Sequence, residues 1–103
     1  MPSRKAPSPR KNRVDFRLFV AGSGARSLRS IDSVKRACEK HAPGCYSLSI
    51  VDIYRQPEEA SKWQVVAVPT LIRQFPEPVR MYVGEIGVPA ELDRRFSWLA
   101  GTC

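Results

Sequence analysis

Val65–Ile86 reads VVAVPTLIRQFPEPVRMYVGEI. It holds two short apolar runs, Thr70–Phe75 and Val79–Val83, separated by Pro76-Glu77-Pro78, and Pro69 stands just before the first run. Proline fixes its own φ and lacks the N–H that a central strand donates. The stretch therefore reads as strand, tight turn, strand, entered through an X-Pro bond. Such a bond takes the cis form at a cost of only about 0.5–1 kcal/mol. Pro69, Pro76 and Pro78 make the element either a rigid hairpin or a place where the chain takes two arrangements.

Outward from the hairpin the elements alternate. Pro57-Glu58-Glu59-Ala60 opens a short helix, expected over Pro57–Gln64, with proline suited to the first turn and the carboxylates to the positive end of the helix dipole. Tyr46–Ile53 (YSLSIVDI) and Phe16–Ala21 (FRLFVA) carry strand formers. Between them Ser27–His41 reads as a helix with Ser27 as N-cap. Leu28, Ile31, Val34 and Cys38 would form its apolar stripe, and Ala42-Pro43-Gly44 its stop. The short links around that helix predict a right-handed βαβ unit with a parallel strand pair. Pro89–Ala100 (PAELDRRFSWLA) reads as a last helix with Leu92, Phe96 and Leu99 on one face.

The order βαβαββα in a single α/β domain, with Val-Pro-Thr at the third strand, resembles the thioredoxin-like fold, in which a cis-proline opens that strand. Redox members place C-x-x-C at the start of the first helix, where the dipole lowers a thiol pKa. Here that place reads Gly22-Ser23-Gly24-Ala25-Arg26, so disulfide exchange lacks its nucleophile.

Composition sets the remaining bounds. The 103 residues are 43% apolar and 26% charged, which suits one globular domain. No run approaches a membrane span. The first residues, MPSRKAPSPRKNR, have no apolar core of a secretory signal, so a cytoplasmic location is expected. The net charge is +7, of which residues 1–13 supply five basic side chains and no acid, while residues 14–103 carry twelve basic and ten acidic ones. Residues 1–13 read as a disordered basic tail, and 14–103 as the folded domain. No basic–aromatic interleaving on a strand supports specific nucleic-acid binding. The odd cysteines Cys38, Cys45 and Cys103 are expected to be reduced, with Cys38 a small core residue. His41, the one histidine, reads as a surface residue at a helix end. Neither a metal site nor a phosphate loop is visible, and Asp52 has no catalytic partner nameable from sequence. No cofactor is expected.

Several blocks lie in one order. They are Leu18-Phe19-Val20-Ala21-Gly22, Ser27-Leu28-Arg29, Val51-Asp52-Ile53, Gln56-Pro57, Val66-Ala67-Val68-Pro69-Thr70-Leu71, Pro76-Glu77-Pro78-Val79-Arg80 and Gly84-Glu85-Ile86. Over residues 15–99 the sequence resembles the KaiB family of circadian-clock proteins. The resemblance implies a non-enzymatic protein that docks in a thioredoxin-like state on the hexameric KaiC ATPase and kinase. It also implies KaiA or a histidine kinase as further partners, and a second, tetrameric fold in which the later half of the chain is rearranged. Arg29, Arg73 and Arg80 match basic positions used toward KaiC, and Pro69, Pro76 and Pro78 match the cis-proline and fold-switch region.

The sequence also departs from the clock proteins. Ser49, Gln64 and Met81 stand where those tend to be basic, the acidic C-terminal tail is replaced by Gly101-Thr102-Cys103, and Arg95-Phe96-Ser97 stands in place of a glycine-containing pattern. Glycine inside a helix costs about 1 kcal/mol relative to alanine, and arginine is a good helix former. The thioredoxin-like arrangement is thus expected to be favoured. The alternative function is a free-standing sensor-type domain that docks on a histidine kinase or other regulatory partner without switching fold.

Overall fold

A computed structural model describes residues 14–101. The expected basic tail, residues 1–13, lies outside the described residues. Four strands form one mixed sheet in the order β2-β1-β3-β4, with β1 at Val14–Val20, β2 at Tyr46–Asp52, β3 at Thr70–Phe75 and β4 at Arg80–Tyr82. β1 pairs parallel with β2, and the expected hairpin is present as antiparallel β3–β4 beside β1. The bonds preceding Pro69, Pro76 and Pro78 are all cis.

The sheet separates two apolar clusters. Val14, Phe16, Leu18 and Val20 of β1, with Leu71 and Tyr82, meet Val34 and Cys38 of α1 (Ala25–His41) and Leu92 and Phe96 of α3 (Pro89–Phe96). Phe96 stacks on Phe16 at 5.1 Å between ring centroids and meets Tyr82 edge-on at 5.9 Å. On the opposite face Phe19, Val51 and Ile72 pack against Ala60 and Trp63, which α2 (Pro57–Lys62) and its C-cap bring over the sheet. β1 contributes to both clusters because it is an interior strand, and its second half, Leu18–Val20, is apolar on both faces.

Helix α1 begins two residues earlier than expected. Its N-cap is Gly24, and Ser27 instead donates from Oγ to the Ala21 carbonyl at 3.1 Å. The buried stripe is accordingly Ser27, Ser30, Val34, Ala37 and Cys38, while Leu28, placed by spacing in the core, is 57% exposed. Two small hydroxyl residues face inward because the helix start closes on the β1–α1 loop. Their polar atoms are satisfied by Ala21 and Arg26 carbonyls. α2 stops at Lys62 rather than Gln64, and Gln64 itself takes a left-handed φ of 57°. The last helix is α-helical only to Phe96, then tightens into a 3-10 stretch, Ser97–Gly101. Ser97 Oγ bonds back to the Arg94 carbonyl at 2.9 Å, a side-chain competitor that suits a tightened end.

Candidate partner-binding surface

Asp52 ends β2 and accepts two backbone N–H bonds at one carboxylate oxygen, from Gly22 at 2.9 Å and Tyr54 at 3.0 Å. Gly22 has φ +77°, and a Cβ there would lie 3.4 Å from the Tyr54 ring. The acidic residue that looked isolated in sequence therefore ties the β1–α1 loop to the β2 end, which is a structural task.

Pro69 sits beside the start of α1. Val20, Ala21, Arg26, Ser27, Ser30 and Val68 line the adjoining hollow with it. A wider groove runs on from Arg26, Arg29, Ser30 and Ser33 to Val83, Ile86 and Pro89. Thr70, 1% exposed, donates to the Ala67 carbonyl at 2.5 Å and so fixes the backbone entering the proline. The cis-proline thus faces a helix start that carries arginine and serine where redox proteins carry sulfur. Cys38 is free and buried, and burial, helped by the neighbouring Glu39 carboxylate, pushes its thiol up to about 12. Cys45 is disulfide-bonded, so the expectation of a reduced thiol there is corrected.

The three arginines singled out by sequence do not share one surface. Arg29 is exposed on α1 and lines the groove beside Pro69. Arg73 and Arg80 are direct cross-strand partners in the hairpin. Arg80 is exposed, but Arg73 is only 7% exposed. Its Nη2 donates to the Pro78 carbonyl at 2.8 Å, and its guanidinium lies 4.7 Å from the Trp98 ring centroid. Arg73 thereby clamps the Pro76-Glu77-Pro78 turn and is not a solvated arginine. Two residues missed by sequence reasoning join the set. Arg26 shares the groove with Arg29, a pairing that their i,i+3 spacing on α1 could have signalled. Trp98 covers Arg73 from the 3-10 stretch, and no local pattern announced it.

Elsewhere, Arg17 on β1 bonds Glu59 of α2 at 2.8 Å and lies 5.7 Å from the Trp63 ring centroid, which fastens α2 to the sheet. His41 is not the surface residue expected. Its side chain is 11% exposed and its Nε2 lies 2.8 Å from Asp93 Oδ1, which Lys40 Nζ also reaches at 2.8 Å. These hydrogen bonds, that from Lys40 first, hold the Asp93 carboxyl below its usual range. Among the described residues no group of three or more His, Cys, Asp or Glu side chains forms a metal cluster, and no helix is long and apolar enough to cross a membrane.

The KaiB domain family matches residues 17–97. The chain belongs to the KaiB family. It is 32% identical over 75 residues to the circadian clock protein KaiB3 of Synechocystis sp., covering 73% of this chain and 74% of that protein. It is 34% identical over 79 residues to the circadian clock oscillator protein KaiB of Synechococcus elongatus, covering 77% and 76%. Among solved structures, the N-terminal domain of Synechococcus elongatus SasA superimposes with a TM-score of 0.73 at 19% identity, over 99% of this chain and 96% of that one. Chloroplastic thioredoxin z gives 0.66 at 13% identity, over 88% and 81%. Those likenesses establish the thioredoxin-like fold of this KaiB-family chain.

Proposed function

We propose that this chain is a non-enzymatic regulatory protein that docks on a KaiC-type hexameric ATPase and kinase and modulates its phosphorylation or ATPase cycle, in circadian or stress timing. The observation that carries the reading is the family match across residues 17–97, whose named relatives are clock proteins. The arginine geometry supports it. Arg29 on α1 and Arg80 on β4 are exposed guanidiniums, suited to bidentate contacts with carboxylates on an acidic ring surface. Arg73 acts through the turn that positions Arg80. Pro69, Pro76 and Pro78 belong to the segment that a second, oligomeric fold would rearrange.

A second reading has its own support. The match to the SasA N-terminal domain and the helical Pro89–Phe96 segment fit a sensor-type domain that docks on a histidine kinase without switching fold. Capture assays with the full chain against a KaiC-type ring and against a histidine kinase decide between them. The first reading expects retention by the ring, weakened about tenfold by Arg29→Ala, the loss of one charge-assisted contact. Retention by the kinase alone would replace it with the second.

A further inference from the structure

The open edge of the hairpin carries an arrangement that packing alone does not explain. Arg73 and Arg80 stand directly opposite each other on β3 and β4, and like charges in that relation destabilise a sheet. Arg95 and Trp98 close around them with Met81 and Tyr82, giving a cleft of about 500 Å³ whose lining, among the described residues, holds no acidic side chain. Arg73 is more than nine-tenths buried, yet its Nε has no hydrogen-bond partner. Its charge is met by one carbonyl, that of Pro78, and by the face of Trp98. A buried guanidinium with a donor unspent is costly, and an apolar residue would fill the same place at less cost.

We propose that this cleft binds a phosphate group, either as inorganic phosphate or as the phosphate of a small ester. Guanidinium forks match phosphate oxygens bidentately, and a tetrahedral dianion accepts from several directions at once, whereas one carboxylate is filled by one fork. Arg73 supplies a held guanidinium and Arg80 an exposed arm that closes over the anion. Trp98, 40% exposed, leaves indole surface for a planar group attached to the phosphate. The proposal does not rest on ring docking.

The test is a titration of the full-length, ¹⁵N-labelled chain in phosphate-free buffer with inorganic phosphate, adenosine monophosphate and, at matched ionic strength, sodium chloride. Saturable shifts of the Arg73 Nε–H and the Trp98 indole N–H are expected with either phosphate and not with chloride. Arg80→Ala should weaken binding about tenfold, as expected for one lost charge-assisted pair, while Arg29→Ala leaves it unchanged. Arg80 is exposed, so its removal should spare the fold, checked by an unchanged amide spectrum elsewhere. Tighter binding of the nucleotide identifies an ester as the ligand, and equal binding identifies the free anion. Unsaturable shifts reproduced by chloride, or equal losses in both variants, would overturn the proposal. Ring capture by Arg29→Ala reads the docking proposal separately.

Discussion

Phe96 is 1% exposed, stacked on Phe16 and edge-on to Tyr82, so it anchors α3 to the sheet. Phe96→Ala should cost about 3–5 kcal/mol, measured by urea unfolding, because the rings around it cannot close the space. Asp52→Ala strands the N–H groups of Gly22 and Tyr54 and should cost about 1–3 kcal/mol, whereas Asp52→Asn keeps an acceptor and should cost less. Cys38 gives a pH dependence with a definite sign. Its folded pKa, about 12, lies above the ordinary 9.0, so the folded state favours the thiol. Its contribution is whole below about pH 9 and is lost as pH rises toward 12, since the unfolded chain ionises first. Native Cys38 should accordingly resist thiol reagents at pH 8, and rapid labelling without unfolding would contradict its burial. These tasks were hidden in the sequence. Asp52 accepts from Tyr54 two residues on but also from Gly22 thirty residues back, and His41 meets Asp93 across two helices, so no local spacing could reveal either long-range bond.

The proline-bounded hairpin was legible because proline punctuates so strongly, and β3 has the bounds its apolar run suggested. Helix α1 was legible in existence but not in phase. Spacing placed Leu28 inside, and the bonds of Ser27 to the Ala21 loop carbonyl and of Ser30 to the Arg26 carbonyl one turn back won instead. The arginines proposed for docking were legible only as single positions, because Arg73 is covered by Trp98, which arrives from another element. At this scale the proposed choice between two folds falls on the C-terminal helix. Arg95→Gly should weaken α3 by about 1 kcal/mol from backbone freedom alone. The expected outcome is lost helical signal by circular dichroism and a larger population with residues 89–99 non-helical. An unchanged spectrum would show that tertiary packing of Leu92 and Phe96 overrides the helix's own preference.

For the whole molecule, fold class and family were readable because seven blocks of sequence and seven elements fall in one order, while the surface depends on which side chains the fold leaves outside. In the thioredoxin-like arrangement the chain is expected to run as a monomer by size-exclusion with light scattering. A tetramer would show that the second fold prevails in the free protein. The decisive question is whether α1 and Arg29 meet a KaiC-type ring while Pro89–Phe96 stays helical. Hydrogen exchange on the full chain, alone and with the ring, reads both at once. Slow exchange across Pro89–Phe96 in each sample, with new protection along the exposed face of α1 when the ring is added, is the predicted result. Fast exchange across Pro89–Phe96, or no change on α1 with the ring in excess, would contradict it.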